Sequence, residues 1–213
     1  MSWKFRYLAW LKRYEQARYA YYRWKMKNSI SFGADCDIYP PSIHFQGWGK
    51  VTFDDGAIVE RGGFKVHFVV DWGAHVHVGK NMWIRTWYEP NVFCCGPNAY
   101  IDIGPDSMVS GIMIRVKKGV RMGKRFLGAY GSRILDSDFH ELDNDTPEKS
   151  EPVEIGDYVW LTSDVTVLGG VHIGSHSVIG AGSIVTTDIP DHTFAAGRPA
   201  VPIKTIGDRS NTI

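Results

Sequence analysis

The fold turns on "IGDYVWLTSDVTVLGGVHIGSHSVIGAGSIV", residues 155–185. Ile155, Leu161, Val167, Ile173, Ile179 and Val185 are aliphatic and recur every six residues without a break. Gly follows directly at 156, 174 and 180. Four residues after each of the first five aliphatics comes Val159, Val165, Val171, Ser177 or Ser183, all small or β-branched. A short strand alternates its side chains, so each flat segment points one aliphatic and one small residue inward. A corner then needs a compact residue. Three such faces close a triangular coil of roughly 18 residues, and coils stack through parallel strand pairing. No coil buries its own aliphatics, so stacking supplies the core.

Upstream the repeat slips. Met122-Gly123, Gly128 and Ile134 keep the step of six, as do Ile103-Gly104 with Val109, and Val78-Gly79 with Ile84. The intervals from 78 to 103 and from 103 to 122 are 25 and 19, each one more than a multiple of six. Corner insertions near "CCGPN" (94–98) and "KKG" (117–119) account for the slips. Phe32-Gly33 is the candidate start of the first coil. Trp48, Trp72, Trp83 and Trp87 crowd this half, which marks it for irregular coils or protruding loops.

The phase of 122, 128 and 134 lands on His140 and then breaks. His140 therefore stands where the chain leaves the coil in "ILDSDFHELD" (134–143), and about 141–150 form an extruded polar loop. Such a loop on a rigid scaffold is a common place for function. His140 has three readings: a solvated loop histidine, a metal ligand or a catalytic base. His75 and His77 share one strand face and suggest a metal, and His172 and His176 lie within one coil. These spacings converge poorly, so surface histidines are the better reading and no metal is expected.

Residues 1–27 form the first unit. Within "WKFRYLAWLKRYEQARYAYYRWKMK" (3–27), Trp3, Tyr7, Trp10, Tyr14, Ala17, Tyr21 and Trp24 recur at alternating steps of four and three. That places them on one stripe of an α-helix. Eight cations in this stretch oppose Glu15 alone. The favoured expectation is a stripe packed on the rest of the protein or on a neighbouring subunit. The alternative is an interfacial helix, with aromatic rings at headgroup depth and cations on anionic lipid.

The chain of 213 residues carries a net charge of +1, so whole-chain charge argues neither for nucleic acid nor for a membrane. Three cysteines, two of them adjacent, make a poor disulfide framework and favour a reducing compartment. No run is long and apolar enough to span a bilayer. The expected location is the cytoplasm, with peripheral contact at the membrane face as the helix's second reading.

The six-residue pattern resembles the hexapeptide-repeat acyltransferases over about residues 75–206, most tightly over 120–206. "ILDSDFHELD" resembles the catalytic segment of the maltose, galactoside and surface-polysaccharide O-acetyltransferases. "EPVEIGDYVWLTSDVTVLGGVHIGSHSVIGAGSIVTTDIPDHTFAAGRPAVPIK" (151–204) resembles their C-terminal block. The resemblance implies a mainly β fold: a left-handed parallel β-helix over 28–206, behind the N-terminal α-helix and ahead of a C-terminal tail at 207–213. It implies a homotrimer with acetyl-CoA as co-substrate in a cleft between prisms. His140 matches the catalytic histidine. Trp160 and Ser163 match positions lining the thioester and pantetheine arm, and Ala181, Thr186, Thr187 and Lys204 match positions around the rest of the coenzyme. One departure stands out: where the family often carries acceptor-holding amides, this chain reads "MVSGIMI" (108–114), so acceptor contacts do not carry over.

The chemistry is consistent with that assignment. Acetyl transfer from a thioester needs the acceptor hydroxyl partly deprotonated as it attacks, and a neutral imidazole suits this near pH 7. Glu141, Asp138 or a backbone carbonyl would fix its tautomer. Backbone N–H groups at coil corners are candidate donors to the oxyanion. The expected acceptor is a sugar hydroxyl in surface-polysaccharide synthesis. Alternatives are an amino sugar or antibiotic amine, a carbonic anhydrase-like protein or a non-catalytic trimer.

Overall fold

A computed structural model describes residues 3–141, 143 and 145–212. After the helix Trp3–Met26, three strands per turn wind into a prism whose faces are sheets of seven, nine and seven strands. The first sheet begins with Ile30–Phe32, the second with Asp37–Ile38 and the third with Ile43–Gly47. Among the described residues all strand pairings between coils are parallel; the one antiparallel pair of strands, Thr193–Gly197 with Ala200–Thr205, closes the C-terminal end of the second sheet.

The register makes the core explicit. Phe53, Val78, Ile103, Met122, Ile155 and Ile173 stack down the first sheet. Val59, Ile84, Val109, Gly128, Leu161, Ile179 and Ala195 stack down the second. Phe68, Phe93, Ile114, Ile134, Val167 and Val185 stack down the third. All are buried. Gly128 belongs in this column because the buried Ile112 side chain, at 2.8 Å, and the buried Phe126 ring, at 3.1 Å, occupy the room a Cβ would need.

The slips in period have physical causes. Inward positions run 78, 84, 93 and 103, so two long steps follow a regular one. One spans the loop at 86–90, and the other is the "CCGPN" corner. Between 103 and 122 the inward positions are 109 and 114. There a short step through Gly111, at φ +64°, precedes a long one at the "KKG" corner.

Gly131, Gly170 and Gly182 hold left-handed corner positions, as expected of compact residues, but one edge departs from that expectation. At the corner between the first and second sheets, the left-handed position is held by Arg125, Tyr158, His176 and His192, with φ of 53°, 59°, 61° and 53°. The preceding glycines serve close stacking instead. A Cβ on Gly156 would lie 2.5 Å from Ser175 Oγ and 2.7 Å from Ser175 N in the next coil. The bulky corner side chains point outward, where their size is free of that constraint.

The helix meets the prism at its C-terminal end. Met26 is buried, and the helix abuts the short turn Pro40–Ser42. Its aromatic stripe does not pack on the prism: Tyr7, Trp10, Tyr14, Tyr21 and Trp24 are all more than half exposed. Trp10 stacks on Tyr14 at 5.6 Å within the helix itself. This corrects the expectation that the stripe packs on the rest of the same chain. The side chain of Trp3 lies outside the described residues, as do those of Lys4, Arg6, Lys12, Arg23 and Lys25. Among the described residues no helix is long and apolar enough to cross a membrane.

Candidate active site

The chain leaves the prism after the third-sheet strand Arg133–Leu135 and re-enters at Val153–Ile155. Asp136, fully buried, fixes the point of departure. Its Oδ1 accepts the Lys117 N–H at 2.8 Å, and its Oδ2 accepts those of Lys118 and Gly119 at 2.6 and 2.7 Å. One carboxylate thus satisfies three backbone donors of the "KKG" corner in the coil before. Asp136 is therefore structural.

The base of the loop is a polar clasp. Ser137 and Ser150 form an antiparallel bridge. The Ser137 hydroxyl donates to Glu148 and accepts the Phe139 N–H at 3.0 Å. Lys117 Nζ meets Glu148 Oε2 at 2.6 Å. That contact first, and the Ser137 hydroxyl next, hold the Glu148 carboxyl below its ordinary range. Phe139 takes a left-handed φ of 65°, and the Arg115 guanidinium lies 4.1 Å from its ring centre. The next residue, His140, is exposed.

Asp138 and Glu141 are exposed on either side of His140, and among the described residues no hydrogen bond joins either carboxylate to its ring. The Asp138 backbone N–H is bound to Lys149 O at 3.1 Å, part of the clasp. The predicted coenzyme residues are distributed over three parts of the prism. Thr186 and Thr187 lie on the edge between the third and first sheets, the edge from which the His140 loop departs. Ser163 and Ala181 lie on the edge between the second and third sheets. Trp160 and Lys204 project from the second sheet. A single prism therefore does not bring Trp160 to His140.

Three clefts accompany these residues. One of about 440 Å³, lined by residues that include Val69, Val92, Cys94, Met113, Arg115 and Phe139, adjoins the His140 loop. Burial pushes the Cys95 thiol up to about 12 and also raises Cys94, so neither is a ready thiolate nucleophile at neutral pH. A second cleft, about 210 Å³, places Trp160 beside Tyr88, Tyr130 and Ser110. A third, about 360 Å³, lies between Lys204, Phe194 and the C-terminal tail. Arg209 of that tail covers the Trp160 ring at 5.6 Å and donates to Tyr158 O at 3.1 Å. The sequence pointed to neither Arg115 nor the tail, because both reach their partners only through stacking of distant coils.

His77 is not a free surface histidine. Its Nδ1 contacts Asp102 Oδ1 at 2.7 Å and its Nε2 contacts Asp54 Oδ2 at 2.9 Å. Burial disfavours its charged form, but the bonds to Asp102 and Asp54 outweigh that and raise its pKa above 6.5. His176 is sandwiched between Tyr158 and His192, with both ring separations 4.7 Å. Among the described residues no group of three or more His, Cys, Asp or Glu side chains is disposed to hold a metal ion.

Three parallel faces, six-residue columns and an extruded loop define a hexapeptide-repeat β-helix. Residues 152–187 match the family described as "Bacterial transferase hexapeptide (six repeats)", so the chain carries that repeat. It is 51% identical over 70 residues to the galactoside O-acetyltransferase of Escherichia coli, covering 33% of this chain and 34% of the relative. A hexapeptide-repeat acetyltransferase from Vibrio cholerae, solved with acetyl-CoA, aligns with TM-score 0.50 and 23% identity over 64% of this chain and 73% of its own. A polysialic-acid-specific acetyltransferase aligns with TM-score 0.50 and 24% identity over 87% of this chain and 91% of its own. These two structural likenesses establish the fold. The chain spans less than two thirds of the length of the curated relatives it matches.

Proposed function

We propose that this protein is an acetyl-CoA-dependent O-acetyltransferase that acetylates a sugar hydroxyl in surface-polysaccharide synthesis. The observation that carries this is His140: an exposed imidazole held at the mouth of a clasped loop, beside a cleft and free of competing hydrogen bonds among the described residues. His140 acts as general base. It takes the proton of the acceptor hydroxyl as that oxygen attacks the thioester carbonyl, and backbone N–H groups at the coil corners stabilise the oxyanion. The tetrahedral intermediate collapses, the C–S bond breaks, and the imidazolium returns its proton to the departing thiolate. Asp138 and Glu141, close in sequence, stabilise the imidazolium electrostatically. The relatives support the choice of chemistry: one is named a galactoside O-acetyltransferase, and a fold neighbour was solved with acetyl-CoA.

The coenzyme lies between prisms of a homotrimer. This explains why Trp160, Ser163, Ala181 and Lys204 occupy different parts of one prism from His140, Thr186 and Thr187. The exposed aromatic stripe of the N-terminal helix, with its basic flank, rests on the anionic cytoplasmic face of a membrane, where each cation contributes about 1 kcal/mol. There it keeps the enzyme near lipid-linked acceptors. Vesicle binding lost on deleting residues 1–27, with the trimer preserved, is the expected result. Dissociation of the truncated protein, with no vesicle binding by the full chain, would make the helix a subunit contact. The overall activity is tested by incubating the protein with acetyl-CoA and a panel of sugars, nucleotide sugars and glycolipid precursors while following free thiol. Acceptor-dependent thiol release supports an acetyltransferase; release with amines alone would replace the O-acetyl reading with N-acetylation.

A further inference from the structure

We propose that the N-terminal half of the second sheet carries a glycan-binding groove, walled by Trp83 and Trp87 and reading sugar hydroxyls through Glu60, which holds the acceptor chain away from the transfer centre. This rests on the reading that the acceptor is a saccharide. The groove has a volume of about 330 Å³. Trp83 is 40% exposed and Trp87 is 58% exposed. Glu60 lines the same groove with one oxygen satisfied: Oε1 accepts from Arg85 Nε at 3.3 Å. Its Oε2 is buried and has no hydrogen-bond partner. A buried acceptor left unmatched is costly; a sugar hydroxyl that reaches Oε2 as the part-exposed Arg85 side chain gives way removes that cost, without movement of the tryptophans.

The walls are built to stay in place. Thr86, fully buried, donates to Glu60 O at 2.9 Å and accepts the Gly62 N–H at 3.0 Å. Asn91, also fully buried, donates to Arg85 O at 2.7 Å and accepts the Ile112 N–H at 3.2 Å. Both ends of the loop that displays Trp87 are thus pinned, and the preorganised rings lose little freedom on binding.

The chemistry selects the ligand. A cation is disfavoured because the Arg85 guanidinium already lies over the Trp83 ring at 5.3 Å and Arg61 lines the same groove. An anion is disfavoured by Glu60 itself. A wholly apolar partner would cover the tryptophans and leave Glu60 Oε2 unmatched. A neutral pyranose offers a C–H face to the rings and an O–H edge to the carboxylate. The register also fits a chain molecule. Trp83, Met108, Leu127 and Trp160 are successive outward residues of one sheet. Trp83 and Trp160 are therefore three strand spacings apart, roughly 14 Å.

The test is an array of bacterial surface glycans, including neutral chains of graded length and their monosaccharides, probed with the full chain. The wild type is expected to bind longer neutral chains over monosaccharides. Trp87→Ala and Glu60→Gln should each weaken that binding roughly fivefold or more, with acetyl-CoA binding unchanged. The groove is overturned if the wild type binds no array glycan, if both variants bind as the wild type does, or if Trp87→Ala separates subunits instead. Glycan binding that depends on Trp87, without acetyl transfer to any sugar, would sustain the groove and defeat only the proposed reaction.

Discussion

Asp136 Oδ2 accepts the backbone N–H of Gly119 at 2.7 Å, tying the start of the His140 loop to the coil before it. Both residues are buried. Asp136→Ala leaves donors of the "KKG" corner without a partner, and denaturant unfolding should show a loss of about 2–4 kcal/mol. Asp136→Asn keeps an acceptor oxygen and should lose less. Equal stability in all three proteins would remove this anchor.

The Glu148 clasp sets a pH limit on loop order. The Lys117 contact, then the Ser137 hydroxyl, depresses the Glu148 pKa below 4.5. A depressed carboxyl stabilises the folded loop above its unfolded pKa, and that contribution is lost as pH falls through the folded value. Amide protection over 136–150, taken relative to the intrinsic exchange rate at each pH, should therefore fall in acid. Glu148→Gln should exchange faster at neutral pH and show less acid dependence. A loop equally protected in both proteins at all pH values contradicts the clasp.

His77 carries the opposite sign. Its pKa is raised above 6.5 because bonds to Asp102 and Asp54 outweigh burial. Its contribution is full below the unfolded histidine pKa and is lost as pH rises through the folded value. With side chains about a third exposed, solvent screening keeps the effect under about 1 kcal/mol. The wild type should exceed His77→Gln in stability more at pH 5 than at pH 9, by thermal unfolding. A constant difference would assign His77 a role independent of its charge.

Gly156→Ala tests the stacking role of the repeat glycines. The new Cβ would meet Ser175 backbone in the next coil, so the coils must part locally. A loss of about 2 kcal/mol is expected from such overpacking. A neutral result would mean that the corner yields.

The regular half of the prism was legible because its corners keep one length. Ile155 to Val185 repeat in phase, and the register places each directly over its counterpart one coil away. The upstream half was blurred by compensating corner lengths, such as the short step at Gly111 and the long one after Val116. The expected compact corner residue also holds only in part: Gly131, Gly170 and Gly182 take left-handed positions, but Tyr158 and His176 do so at the edge between the first and second sheets. In the candidate site, the broken phase marked an excursion near His140, but the chain leaves the prism earlier, after Leu135, and the Ser137–Ser150 bridge already belongs to the loop. The division of labour among its acidic neighbours was not legible. Asp136 is a buried anchor while Asp138 and Glu141 are exposed, because that choice depends on where the coil before presents unpaired N–H groups.

The central claim is that His140 removes the acceptor proton, and the most direct measurement is the steady-state rate of acetyl-CoA-dependent acetylation by His140→Ala. The account predicts kcat lower by roughly 10²–10⁴-fold, with acetyl-CoA affinity and assembly close to wild type. Undiminished turnover in that variant would contradict it.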